Sequence, residues 1–61
     1  MDKKVFDKIG WTKNMKVKYN GATCRVIGVY FYEGKVLLER KDEQTVMWRY
    51  VGSVLYSEIE L

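Results

Sequence analysis

Histidine is missing from this 61-residue chain, and with it go the commonest general base and the usual nitrogen ligand of a zinc site. The single cysteine, Cys24, cannot close an intrachain disulfide and has no imidazole to activate it as a nucleophile. The sequence also lacks a glycine-rich phosphate loop and any carboxylate cluster suited to magnesium or calcium. These absences point to a non-enzyme with no cofactor and no metal site. No apolar run approaches the ~20 residues of a membrane-spanning helix, and the first residues lack the apolar stretch of a signal peptide. A cytoplasmic location is therefore expected, in keeping with one unpaired thiol.

The length fits one domain, in which only about 60% of the unfolded chain's surface can be buried. Burial at about 25 cal/mol per Å² set against about 1.5 kcal/mol per ordered residue leaves a net near zero. Disulfides and metals being unavailable as staples, self-association is the one that remains. The net charge of +3 is unevenly spread. Residues 1–20 hold six lysines and two aspartates, or +4, whereas residues 21–61 hold five basic and six acidic side chains, or −1. Such a basic segment either lies on phosphates or is simply solvated.

The most constraining stretch is Ala22–Arg40, which reads as two strands folded at Glu33-Gly34. A two-residue turn there sets Tyr32 against Lys35, Phe31 against Val36 and Val29 against Leu38, and gathers Ile27, Val29, Phe31, Val36 and Leu38 on one core face. Upstream, Met15, Val17 and Tyr19 alternate with Lys16 and Lys18 as far as Asn20-Gly21, the strongest hairpin dipeptide in the chain. Pairing across it places Tyr19 against Ala22, Val17 against Cys24 and Met15 against Val26 inside. Lys18–Thr23 and Lys16–Arg25 fall outside. Inward positions are even-numbered through Val26 and odd-numbered from Ile27, so a bulge or bend is expected near Val26–Gly28, with Gly28 the permissive residue.

Elsewhere the pattern is looser. Val5, Phe6 and Ile9 stand at helical spacing before Gly10, so residues 1–14 form either one docked helical turn or a frayed tail. Arg40–Gln44 reads as a turn and Thr45–Val51 as a fourth strand, in a register that buries Trp48 and Tyr50; another register would bury Met47 and turn Trp48 outward. Gly52-Ser53 reads as a break and Val54–Tyr56 as a short connection with room for a 3₁₀ turn. Ser57–Leu61 reads as a last strand with Ile59 and Leu61 inward.

The strands Met15–Gly21, Arg25–Val29 and Ser57–Leu61, with a bent second strand and a brief turn before the last, resemble the small SH3-like barrels of the KOW and Tudor type found in bacteria and their phages. The resemblance covers residues 15–61 and is one of strand and turn pattern. It implies an all-β, five-stranded SH3-like barrel preceded by a short N-terminal segment, residues 1–14. Such barrels bind proteins, nucleic acids or modified side chains, and a compact chain of this kind suits a phage or prophage accessory protein that engages a host protein. The last strand of such a barrel lies beside the first, which would bring Glu58 and Glu60 against Lys16 and Lys18.

Two functional readings follow. Aromatics make up 15% of the chain, more than so small a core accommodates. Tyr30 and Tyr32 lie on the outer side of the central hairpin beside Leu37, and with Arg49 they compose a protein-binding set, for a partner or a second copy. Alternatively the N-terminal segment covers that face. The other reading is a nucleic-acid binder using Lys13, Lys16, Lys18 and Arg25 with flanking aromatics.

Overall fold

The computed structural model describes all 61 residues. Helix α1 (Lys3–Lys8) is followed by strands β1 (Lys16–Tyr19), β2 (Ala22–Tyr30), β3 (Lys35–Lys41) and β4 (Trp48–Leu55), a 3₁₀ turn (Tyr56–Glu58) and β5 (Ile59–Glu60). All pairings are antiparallel, in one sheet ordered β4-β3-β2-β1-β5. The protein is thus all-β with a short N-terminal helix, and β4 and β5 end the sheet.

The first hairpin forms as its turn chemistry dictates. Asn20 (φ 53°) and Gly21 (φ 79°) both adopt the left-handed conformation of a type I′ turn, and Lys16↔Arg25, Val17↔Cys24, Lys18↔Thr23 and Tyr19↔Ala22 pair. The slip in β2 is also present. Val26 faces Leu38 while Gly28 faces Leu37, so Ile27 is the extra residue of a bulge.

The central turn differs from expectation. Pairing of Val29 with Val36 and Tyr30 with Lys35 leaves a four-residue loop, Phe31–Gly34. A two-residue I′ turn needs positive φ at both central positions. Only Gly34 (φ 67°) supplies it, and its N–H closes the turn on the Phe31 carbonyl at 3.3 Å. Phe31 consequently falls in the loop, where it is half exposed while its ring packs on Phe6, and Ile27 is exposed as the bulge residue; Val36 and Leu38 are fully buried.

The fourth strand is displaced as well. Arg40 and Lys41 continue β3, and the loop spans residues 42–47. Asp42 organises it: its N–H donates to the Met47 carbonyl and its carbonyl accepts from the Val46 N–H, both at 2.8 Å. Its carboxylate accepts the Gln44 N–H at 3.0 Å and meets Arg49 Nε at 2.9 Å. Gly52 (φ 138°) does not break the strand; it follows Val51, the extra residue between the Leu38–Gly52 and Glu39–Tyr50 pairs. Trp48 and Tyr50 therefore lie outside the core, and Leu61 is exposed too.

The core volume expected of Trp48 comes from the N-terminal helix. Phe6 is the largest fully buried side chain, among Val17, Cys24, Val26, Val36, Leu38, Val54 and Ile59. Its ring stacks on Tyr56 (centroids 5.1 Å apart) and meets Trp11 edge-on at 5.8 Å. A six-residue helix cannot stand alone. Burying Phe6 contributes about 1.5–3 kcal/mol, and three hydrogen bonds shape and anchor the segment, two within it and one to the last strand. Asp2 caps the Lys4 N–H, Trp11 Nε1 donates to the Phe6 carbonyl at 2.9 Å, and the amino terminus donates to the Ile59 carbonyl at 2.7 Å.

Candidate interaction surfaces

Register decides which side chains share a face. Cys24, Val26, Val36, Leu38 and Val54 point inward, so their alternates Arg25, Glu39, Tyr50, Leu37, Tyr30, Lys35 and Ser53 lie on the outer face. Two groups of functional candidates occupy opposite ends of that face.

At one end is the β2–β3 tip. Tyr30 and Leu37 are diagonal neighbours, because Gly28, which faces Leu37, is one step along β2 from the Val29–Tyr30 pairs. Tyr30 is 51% and Phe31 54% exposed, and Tyr32, in the loop, is fully so. Phe31 is anchored from beneath by Phe6, with centroids 5.5 Å apart. Beside the tip a groove of about 370 Å³ runs between Trp11–Lys13 and Ile27–Val29, with Phe31 at its end. The N-terminal segment flanks this end and leaves all three aromatics accessible. Buried Gly34 locks the loop from behind: its carbonyl accepts the Tyr56 N–H at 2.9 Å, tying the tip to the 3₁₀ turn.

At the other end Lys16 and Arg25 stand opposite each other, each with its cationic group 4.4 Å from the Trp48 ring centroid. Arg25 Nε also donates to Glu39 Oε1 at 2.7 Å, with both side chains largely shielded. Like charges face to face across a ladder repel. Here a tryptophan π-face and a carboxylate compensate them. The Glu39 and Trp48 partners were not legible in the sequence, which points instead to Glu58 and Glu60. Of those two, Glu60 does pair with Lys18, as expected of a last strand beside the first. With a two-residue turn, carrying the register through the bulge sets Arg25 against Lys41; only the four-residue loop brings Glu39 opposite Arg25.

Two candidates fall elsewhere. Arg49 pairs with Arg40 and lies on the side of the sheet opposite Leu37, ion-paired to Asp42; it does not join Tyr30, Tyr32 and Leu37. Lys13 lines the groove beside the tip, apart from Lys16, Lys18 and Arg25. Cys24 is buried, and burial pushes its thiol pKa up against a smaller opposing pull from Arg40, which keeps it protonated. No helix is long and apolar enough to cross a membrane.

The chain matches no protein-family model, no curated protein and no solved structure.

Proposed function

We propose that this protein is a non-enzymatic, cytoplasmic interaction module, an SH3-like barrel of the kind phages and prophages use to engage a host protein, and that it grips its partner with the β2–β3 tip. The strand order β4-β3-β2-β1-β5 and the 3₁₀ turn before β5 support the SH3-like reading. The observation that carries the function is the run Tyr30-Phe31-Tyr32, three consecutive aromatics each at least half exposed, with Leu37 diagonal to Tyr30. A domain with so small a core gains stability by burying such residues, and exposed ones are the usual anchors of a protein interface. Their rigidity favours binding: Phe31 rests on Phe6, and Gly34 is bonded to the 3₁₀ turn, so little ordering cost remains on association.

Nucleic-acid binding through Lys13, Lys16, Lys18 and Arg25 is the weaker reading, because Arg25 is bonded to Glu39 and Lys16 rests on Trp48. The deciding experiment pairs thermal melting with capture from a host lysate for Tyr30→Ala and Tyr32→Ala. Hot-spot tyrosines contribute 2 kcal/mol or more, so capture should fall over about 25-fold while melting is preserved. Full capture by both variants removes the tip from consideration.

A further inference from the structure

The two ends of the sheet are guarded very differently. β5 is two residues long and is flanked by Glu58 with Glu60 within it, the short and charged form that blocks edge-to-edge pairing. β4 is eight residues long with one charged side chain, Arg49, whose charge is already taken by Asp42. Its outer side has no ladder partner. Along it lie Tyr50, Val51 and Leu55, continued by Val46 and Met47 in the preceding loop, all exposed. The Val51–Gly52 bulge bends this edge but leaves regular backbone on either side of it.

We propose that the β4 edge is a homodimer interface, on which a second copy of the chain adds its own β4 antiparallel about a twofold axis. The charge pattern favours a copy of itself. In a register centred between Val51 and Gly52, Arg49 lies opposite the partner's Val54. The two Arg49 positions are then about five residues or ~17 Å apart, beyond the screening length of about 8–10 Å. A strongly charged foreign strand would find no counter-charge there, whereas an apolar, nearly neutral strand matches itself. The extent also suits a weak dimer. Eight residues make an edge about 26 Å long, and with the flanking side chains the total buried area is on the order of 1,000 Å², the lower limit for a specific interface. This surface is distinct from the β2–β3 tip, so the two proposals fail independently.

Sedimentation of the full chain from about 5 µM to about 1 mM, a range bracketing the affinity of a small interface, tests it. The expected mass rises from 7.3 kDa toward twice that value. Val51→Lys combined with Ser53→Lys should stay monomeric throughout, while Tyr30→Ala with Tyr32→Ala should associate as the parent does. Amide exchange on the unaltered chain gives a second readout, slowing in Trp48–Leu55 with concentration and not in Phe31–Gly34. A parent that stays at 7.3 kDa at the highest concentration, association undiminished in the lysine variant or abolished in the tyrosine variant, or concentration-independent exchange in β4 overturns the proposal.

Discussion

Substituting Gly34 with alanine should damage the fold more than any other single-methyl addition at a glycine. At φ 67° an alanine bears the left-handed penalty of about 1–2 kcal/mol. Its new Cβ would stand 3.0 Å from Tyr56 Cδ1 and 3.2 Å from Cε1. Tyr56 cannot yield freely, because its N–H bonds the Gly34 carbonyl and its ring stacks on Phe6, a contact worth about 0.5–1.5 kcal/mol. Together the cost is about 2–3 kcal/mol, from a total stability of roughly 3–9 kcal/mol for a domain of this size. Thermal unfolding followed by circular dichroism should show a fall of roughly 8–20 °C. The same substitution in a Tyr56→Ala background isolates the steric part, and there it should cost only about 1–2 kcal/mol, the backbone penalty. A cost below about 0.5 kcal/mol, or an equal cost in both backgrounds, would refute the reasoning. Gly28→Ala is the contrast: its φ is not positive and its Cβ would meet Leu37 at an ordinary 3.7 Å, so stability should change by less than about 0.5 kcal/mol.

Phe6→Ala should cost about 3–5 kcal/mol and leave the chain partly or wholly unfolded at ambient temperature, read as loss of the cooperative melting transition. Val46 is β-branched, solvent-exposed and held at φ 58°, so Val46→Asn should raise stability by about 0.5–1 kcal/mol in chemical denaturation. The Asp42 carboxyl is held below the usual carboxylate range, chiefly by the Gln44 N–H and further by Arg49 and Thr45. A depressed acid supports the 42–47 loop fully above its unfolded pKa of about 3.9, and that support is lost as pH falls through the folded value. The Gln44 and Val46 amide resonances should therefore hold their positions at pH 5 and shift only below about pH 4. Asp42→Asn should remove that acid transition.

The first hairpin was legible because Asn20-Gly21 leaves one good register and the alternation of β1 agrees with it. The bulge in β2 was legible from the change of phase, but its cause was not: Gly28 has ordinary φ, and the intolerant glycine is Gly34. A charged run such as Arg40–Gln44 looks the same in sequence whether it is a loop or a strand end that has left the core, so the pattern misplaces β4. Arg40 and Lys41 extend β3, which shifts every residue of β4 along it. The need for core bulk points in sequence to Trp48, whereas a helix too short to be stable alone supplies that bulk through Phe6. Of the interface candidates, Tyr30 and Leu37 share one end of the outer face, and Tyr32 lies in the adjoining loop. Arg49 does not join them, since the shifted register moves it to the other side.

Photo-crosslinking in the host cell tests the tip-binding account most directly, with a benzophenone amino acid placed at Tyr32 and, as control, at Glu43 in the loop at the far end of the sheet. Both positions are exposed, so neither substitution disturbs the fold. The account predicts a discrete protein adduct from position 32, absent from position 43 and lost when Tyr30→Ala is added. An adduct of equal yield from both positions, or a nucleic-acid adduct in place of a protein one, would contradict it.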